Sequence, residues 1–290
     1  MSSANRPPAD PGVRGEPQET AGYGDYLRLD ALLSCQHPVS GQHDEMLFII
    51  QHQTTELWLK LLIHELGSAM RRIAADDLAP ALKALARVKH IQRQMFEQWA
   101  VLETLTPAEY AQFRGALGSA SGLQSSQYRM VEFLLGNKDA RRLDAVAHQG
   151  AGEQELRAVL RSPSLYDEFL RYLARRGHDV PAELVERDWS RPHQQDSGLL
   201  PVLREIYERP QRHWSEYEMC EALVDVEESF QLWRFRHVKT VQRIIGGKRG
   251  TGGSSGVDFL EAALELTFFP EVLLVRDEIR EAGADGAPSG

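Results

Sequence analysis

Two histidines lie in apolar stripes with the three- and four-residue spacing of one helix face. One stripe, in FIIQHQTTELWLKLL, contains Phe48, His52, Thr55, Leu59, Leu62 and Leu66. The other, in FQLWRFRHVKTVQRII, contains Phe230, Trp233, His237, Val241 and Ile244. Burying an imidazole without a partner costs about 1 to 3 kcal/mol, so each histidine needs a hydrogen bond or a metal ion.

The residues around each histidine leave two interpretations open. His52 is either a core histidine bonded to a backbone carbonyl or to Glu56, or a group that faces a ligand. Beside His237, the cations are part of a solvated helix face with a basic last turn, or they neutralise the carboxylates of a cofactor. These cations are Arg234, Arg236, Lys239 and Arg243.

Two inward histidines on different helices of a bundle indicate a metal or haem site. The chain has no HExxH motif, because His64 and Glu65 are followed by Leu66, Gly67 and Ser68, and it has no ExxH pair. Haem b needs one neutral imidazole, a flat apolar slot and polar partners for its propionates, and the pattern is compatible with all three.

The elements that carry these histidines read as helices. Apolar spacing is repeatedly helical, and alternation of β-branched residues is nearly absent, which predicts a mostly α-helical domain. TPAEYAQFRGAL has a capping box from Thr106 to Glu109 with Pro107 as the first helical residue. QYRMVEFLLGNK predicts another helix that ends at Gly136. The helix that carries His52 has a second apolar face beside the first, which predicts that protein surrounds this helix. The second face consists of Leu47, Ile50, Leu57 and Leu61.

Two further features have an ordinary and a functional interpretation. Arg114 lies between Tyr110 and Leu117 on one predicted helix face. It is a surface arginine or, if that face is internal, a fork for a substrate carboxylate. GTGGSSG, residues 250–256, lacks the order of a Walker A loop and is a flexible connection or a lid in which Thr251 supplies a hydroxyl.

Composition bounds the class of protein. The 290 residues contain 33 basic and 42 acidic side chains, and this net charge of −9 argues against binding to nucleic acid or anionic lipid. No uncharged run is long enough to span a bilayer and the first twenty residues contain no signal-like apolar segment, so we expect a cytoplasmic protein. Cys35 and Cys220 belong to no metal or redox motif, and we expect free thiols.

Four segments together resemble the tryptophan 2,3-dioxygenase family of haem enzymes. They are YGDYLRLDALL, HDEMLFIIQHQTTELWLKLL, FRGALGSASGLQSSQYRMVEFLLGNK and FQLWRFRHVKTVQRIIGGKRGTGGSSG. They occur in this order over roughly residues 20–275. The resemblance implies insertion of both atoms of O2 across the indole C2–C3 bond of L-tryptophan. The product would be N-formylkynurenine, in the first step of the kynurenine pathway.

The resemblance also implies roles for single residues. His237 matches the axial ligand of the iron of haem b, one per subunit, and His52 matches the catalytic histidine facing the indole N–H. The other matches are substrate-binding positions: Phe48, Tyr110, Arg114, Leu117 and Thr251, with Tyr23, Tyr26 and Leu27 entering the site of a neighbouring subunit.

By the same resemblance, the fold is an all-α helical bundle assembled as a homotetramer, a dimer of dimers. We expect a single domain over residues 21–280, with a small helical insertion at about 150–195, where the chain is more charged and is broken by Pro163, Pro181 and Pro192. Residues 1–20 and 281–290 are expected to be a disordered extension and tail. Three rivals remain: a bis-histidine electron carrier, a helical scaffold without a cofactor, and a related haem enzyme for a substituted indole.

Overall fold

The structure is a computed structural model that describes residues 22–143 and 152–279. The described chain forms two compact units, residues 22–38 and residues 39–279. All regular structure in the described ranges is helical, which confirms the predicted all-α class. The expected disordered extension, 1–20, and tail, 281–290, lie outside the described residues.

The first unit contains two short helices, α1 (Tyr23–Leu27) and α2 (Leu29–Leu33). The second unit contains the longer helices and every buried hydrophobic residue of the core. Its helices are α3 (Glu45–Ala74), α4 (Leu78–Glu97), α5 (Trp99–Leu102), α6 (Pro107–Phe113), α7 (Ser126–Leu135), α8 (Gly152–Leu160), α9 (Leu165–Arg175), α10 (Ala182–Val185), α11 (Leu200–Glu208), α12 (Trp214–Ile245), α13 (Val257–Ala262) and α14 (Pro270–Leu274).

Three helices form the frame of the second unit. The 30-residue α3 extends for about 45 Å and packs against α4, which follows it after a three-residue turn. The 32-residue α12 packs along the other side of α4. Helices α7 and α9 also pack on α3, where Leu62, Leu66 and Phe169 are fully buried. This frame fixes α3 and α12, the helices that carry the two histidines.

The predicted helix ends are confirmed at α6 and α7. The Thr106 hydroxyl accepts a hydrogen bond from the Glu109 N–H at 3.3 Å, and the Glu109 carboxylate accepts one from the Thr106 N–H at 2.8 Å. Helix α7 ends at Gly136, whose φ of 117° suits a residue without a Cβ atom. Helix α6 stops at Phe113, and Arg114–Leu117 continue as a 3-10 turn.

The prediction that protein surrounds α3 is wrong for the single chain. Ile50, Leu57 and Leu61 are 45%, 48% and 37% exposed, and Met46 on the same face is also exposed. Spacing identified this face as apolar, but periodicity alone does not tell whether the same chain covers it. Between residues 152 and 195 the chain forms α8, α9 and α10, and α9 belongs to the core that packs on α3.

No helix in the described part of the chain combines the length and the hydropathy needed to cross a bilayer. Cys35 is exposed and Cys220 is buried.

Candidate active site

His52 lies in the second turn of α3 and has one ring nitrogen engaged by the helix itself. Its Nδ1 is 2.7 Å from the carbonyl oxygen of Phe48, one turn earlier. A carbonyl only accepts hydrogen bonds, so Nδ1 carries the proton in neutral His52 and Nε2 keeps its lone pair. The backbone partner that the sequence left open is therefore present, and it leaves the second nitrogen as an acceptor.

Burial keeps His52 neutral at physiological pH. Desolvation lowers the pKa of His52 below its ordinary value of 6.5, and it outweighs the opposing effects of the Phe48 carbonyl and of Glu56. Glu56 follows His52 by one turn, and Gln127 Nε2 donates to its carboxylate at 2.8 Å and to its carbonyl oxygen at 2.9 Å. These contacts fasten α7 to α3 next to the histidine.

An aromatic group adjoins His52. The ring centroid of Phe48 is 4.1 Å from that of His52, 6.0 Å from that of Tyr110 and 5.7 Å from that of Phe113. Tyr110 and Phe113 meet edge to face at 5.3 Å. Phe113 is fully buried, whereas Phe48 and Tyr110 are partly exposed. Helices α3 and α6 thus supply a rigid apolar wall beside an imidazole.

His237 lies in the C-terminal third of α12 with aromatic rings beside it. The Trp99 ring stacks on the imidazole at a centroid distance of 4.8 Å and an interplanar angle of 10°. The Trp233 ring lies at 5.7 Å and is tilted by 38°. Burial, with a smaller electrostatic contribution from His52, lowers the pKa of His237 to about 4. The two histidines are therefore close enough to interact electrostatically, and both are neutral.

These residues fit a haem group better than a bare metal ion. In the described ranges no three His, Cys, Asp or Glu side chains are close enough to hold an ion, but haem iron needs only one imidazole. His237 is neutral, and its ring nitrogens have no hydrogen-bond partner within those ranges. The indole N–H groups of Trp99 and Trp233 are buried and also lack an acceptor there.

Arg114 lies at the end of α6, close to Tyr110. Its Nη2 donates a hydrogen bond to the carbonyl oxygen of Arg249, at the start of the glycine-rich loop. Burial raises the pKa of Tyr110, and the Arg114 charge opposes this effect only in part, so the phenol is neutral. Leu117 is partly buried and packs on the hydrophobic core. Arg114 therefore connects α6 to the loop, and its guanidinium lies beside a phenol.

The glycine-rich loop contacts the segment that follows Arg114. The Thr251 hydroxyl donates to the Ala120 carbonyl oxygen. A Cβ atom at Gly252 would lie 2.6 Å from Cβ of Ser121, so the close approach of the two segments requires glycine. Arg114 and Thr251 therefore hold the loop at two points on the 114–121 segment.

Comparison with known proteins decides the family. The sequence profile described as tryptophan 2,3-dioxygenase matches residues 9–162 and 166–278. The chain belongs to the tryptophan 2,3-dioxygenase family. This membership confirms the resemblance found in the sequence and the predicted activity, haem-dependent oxidation of L-tryptophan to N-formylkynurenine in the kynurenine pathway.

Relatives that carry the name tryptophan 2,3-dioxygenase match most of the chain. The protein of Kineococcus radiotolerans is 67% identical over 259 residues, 89% of this chain and 91% of the relative. The protein of Serratia proteamaculans is 61% identical over 89% of this chain and 92% of the relative. The protein of Saccharopolyspora erythraea is 58% identical over 96% of this chain and the full length of the relative.

Most of the site positions implied by the tryptophan 2,3-dioxygenase resemblance lie in the second unit. Helix α3 brings Phe48 and His52 close to Tyr110. Arg114 binds the carbonyl of Arg249 at the start of the glycine-rich loop, and Thr251 within that loop binds the carbonyl of Ala120. Tyr23, Tyr26 and Leu27 belong to the first unit, where they are 78%, 79% and 41% exposed. Their predicted role in a neighbouring subunit stays a prediction.

Two neighbours of this tryptophan 2,3-dioxygenase site were missed by sequence reasoning. Phe113 was not singled out, although the helical spacing of α6 could have shown that it shares a side with Tyr110. Trp99 is the first residue of a four-residue helix, which is too short for its apolar pattern to predict which side is buried. Their contacts with Phe48 and His237 depend on how separate helices pack.

Within the described ranges, two of the four cations beside His237 form ion pairs with carboxylates. Arg234 Nη2 lies 3.2 Å from the carboxylate of buried Glu132, and Arg236 binds both carboxylate oxygens of Glu103. Lys239 and Arg243 are exposed. In this member of the tryptophan 2,3-dioxygenase family, Arg234 and Arg236 thus hold α12 to its neighbours. This structural role differs from both interpretations of the cations beside His237, the solvated helix face and the partners of cofactor carboxylates.

Proposed function

We propose that His237 is the axial ligand of haem b, one per subunit, and that His52 and Arg114 orient L-tryptophan beside it. When bound, ferrous haem supplies the redox chemistry that activates O2, and both oxygen atoms enter the indole C2–C3 bond. The observation that carries the proposal is the pairing of two neutral, partly buried histidines from α3 and α12, with an aromatic wall next to one and an indole stacked on the other.

Substrate recognition begins with the carboxylate. A guanidinium presents parallel N–H donors that match the two oxygens of a carboxylate. Arg114 donates to the Arg249 carbonyl, which is a weaker, neutral acceptor. The substrate carboxylate replaces that carbonyl, and the neutral phenol of Tyr110 adds a second donor. Leu117 lines the adjoining apolar surface.

The indole ring is held by contacts of a different kind. Phe48, supported by Phe113, forms an apolar wall with the area and shape for an aromatic bicycle. The free Nε2 of His52 accepts the hydrogen bond of the indole N–H, because Nδ1 is already committed to the Phe48 carbonyl. A substrate anchored at its carboxylate and its ring nitrogen has little remaining freedom, and such positioning lowers the barrier to reaction.

Loop closure excludes water from this site. Thr251 would exchange its hydrogen bond with the Ala120 carbonyl for a contact with the substrate ammonium group. The glycines on either side allow the necessary backbone rotations. In this order of events, Arg114 first releases the Arg249 carbonyl to bind the substrate carboxylate, and the loop then closes.

The direct test is turnover by purified, haem-loaded enzyme with L-tryptophan and a reductant. N-formylkynurenine should form with one O2 consumed per substrate. Parallel assays with D-tryptophan and hydroxylated tryptophans measure whether the pocket prefers a substituted indole. Turnover of a hydroxylated analogue but not of L-tryptophan would contradict the proposed substrate, and absence of product with every indole would contradict the proposed function.

The pH dependence of kcat/KM should report the neutral state of His52. Burial lowers the pKa of His52 below its ordinary value of 6.5, so most of the protein has a free Nε2 between pH 8 and pH 7, and half of it is protonated only below pH 6.5. kcat/KM should be flat over the first range and fall below it. In His52→Ala this acidic decrease should disappear, whereas a half-maximal point above pH 7 would contradict the assignment.

We further propose a homotetramer, a dimer of dimers, in the cytoplasm. The apolar face of α3, defined as Met46, Ile50, Leu57 and Leu61, is exposed in the single chain, and Phe235 of α12 is 50% exposed. Contiguous apolar patches of this kind favour association between subunits. Tyr23, Tyr26 and Leu27 are also exposed and would complete the site of the neighbouring subunit.

A charge on the apolar face of α3 should dissociate the assembly. Leu57→Glu would bury a carboxylate against apolar side chains of a second subunit, which costs several kcal/mol. Light scattering coupled to gel filtration should show a smaller species than the tetramer of the original chain. Lys83→Glu changes an exposed residue of α4 and should leave the mass unchanged. A tetrameric Leu57→Glu protein would exclude this face from the interface.

A further inference from the structure

Residues at both ends of the short helix α5 contact the turn of α12 that contains His237. Trp99, the first residue of α5, stacks on the His237 imidazole with an interplanar angle of only 10°. Glu103 directly follows α5, and its N–H donates to the Trp99 carbonyl oxygen at 2.9 Å. The stacked indole and the Glu103 carboxylate therefore belong to one rigid turn of backbone.

Glu103 binds α12 on both sides of His237. Its two carboxylate oxygens accept hydrogen bonds from Nε and Nη2 of Arg236, at 3.0 and 3.1 Å. The oxygen that binds Nε also accepts one from the Thr240 hydroxyl at 3.0 Å. Arg236 immediately precedes His237, and Thr240 follows it within one turn. A single carboxylate thus spans the turn that carries the imidazole.

Arg236 is itself held in place by the helix that leads into α5. Its Nη1 donates to the Phe96 carbonyl oxygen at 3.2 Å, and its guanidinium lies 4.6 Å from the centroid of the Phe96 ring. The side chains of Arg236 and Glu103 are 20% and 27% exposed, so solvent screens this pair less than a surface pair. The hydrogen bonds from Arg236, followed by the one from Thr240, lower the pKa of Glu103, which is ionised at neutral pH.

The contacts of Glu103 do more than join two helices. Helix α12 already packs along α4, so its attachment to the frame does not depend on one carboxylate. What the bidentate bond adds is a fixed rotation and height of the His237 turn relative to Trp99. Parallel stacking at 4.8 Å is sensitive to both, because a small rotation of α12 would move the imidazole edge away from the indole face.

We propose that Glu103 is a positioning residue for the haem ligand: through Arg236 and Thr240 it fixes the His237 turn so that Trp99 holds the imidazole in one plane. This inference rests on the proposed role of His237 as axial ligand. Partners that orient a metal-binding histidine commonly change metal affinity by about 10- to 100-fold when they are removed. Glu103 acts through Arg236, Thr240 and the backbone of α5.

The test compares Glu103→Ala and Glu103→Gln with the original chain and with Asp225→Asn. Asp225 is a matched control, because it forms a 2.8 Å ion pair with Lys89 between the same α12 and α4, far along the helix from His237. Haem affinity is measured by Soret titration of the apoprotein, and the iron–histidine stretching band by resonance Raman spectroscopy of the ferrous protein. Thermal unfolding is recorded for every variant.

Glu103→Ala should bind haem on the order of 10-fold more weakly and should shift or broaden the iron–histidine band. Its kcat should fall while its KM for L-tryptophan stays within about twofold of the original, because the Arg114 site is untouched. Glu103→Gln should lie between Glu103→Ala and the original chain, since an amide keeps one acceptor oxygen. Asp225→Asn should match the original in haem affinity and band position.

The inference is overturned if Glu103→Ala keeps the original haem affinity and iron–histidine band, whatever its melting temperature. If Glu103→Ala fails to fold, Thr240→Val removes one of the three hydrogen bonds to the carboxylate and should give a smaller change in the same direction. The axial-ligand assignment fails separately if His237→Ala binds haem as tightly as the original chain.

Discussion

Arg114→Ala should lose about 2 to 5 kcal/mol of transition-state stabilisation for L-tryptophan, which is roughly 30- to 5,000-fold in kcat/KM. The reason is geometric and electrostatic. Arg114 lies beside the phenol of Tyr110 and donates to a neutral carbonyl that a carboxylate can replace. Removal of the guanidinium leaves the substrate carboxylate desolvated without its bidentate partner.

One further variant separates charge from geometry at Arg114, and a second variant, at Arg141, serves as a control. Arg114→Lys keeps the positive charge but presents no fork, so its kcat/KM should lie between those of the original chain and Arg114→Ala. Arg141→Ala removes an arginine whose side chain is 91% exposed and should leave kcat/KM unchanged. An unchanged kcat/KM in Arg114→Ala, measured by initial rates of N-formylkynurenine formation, would reject the carboxylate role.

His237→Ala should weaken haem binding by roughly 100-fold or more, beyond the cost typical of an outer partner of a metal ligand. The imidazole is neutral, has a pKa lowered to about 4 and has no hydrogen-bond partner in the described ranges. Its removal deletes the one iron ligand that the site supplies. The purified variant should therefore have little Soret absorbance and no activity.

The matched control for this prediction is His90→Ala, which removes an exposed histidine of α4. It should purify with the same haem content as the original chain. Added imidazole can occupy the space left in His237→Ala, so part of the Soret absorbance should return at high imidazole concentration. A full Soret band in His237→Ala without added imidazole would remove His237 as the sole ligand.

The features that sequence could predict depend on short-range pattern. His52 and His237 are recognisable in the sequence because each places a polar ring in an apolar stripe with helical spacing. The helix start at Thr106 and the helix end at Gly136 are recognisable because capping residues act locally. The all-α class follows from the same periodicity. Each of these features is determined by residues a few positions apart, so one sequence is sufficient.

The features that sequence could not predict depend on which surfaces meet. Trp99 stacks on His237 and Glu103 binds Arg236 only because α4 and α5 place them against α12, more than 130 residues along the chain. The exposure of Leu57 could not be foreseen either. An apolar helix face has the same spacing whether its own chain or a second subunit covers it.

The most direct test of the central claim is the absorption spectrum of the ferrous, haem-loaded protein. His237 on iron and His52 kept free for the indole predict a five-coordinate, high-spin spectrum that changes when L-tryptophan is added. A six-coordinate, low-spin bis-histidine spectrum, unchanged by L-tryptophan, would place both imidazoles on iron and contradict the assignment.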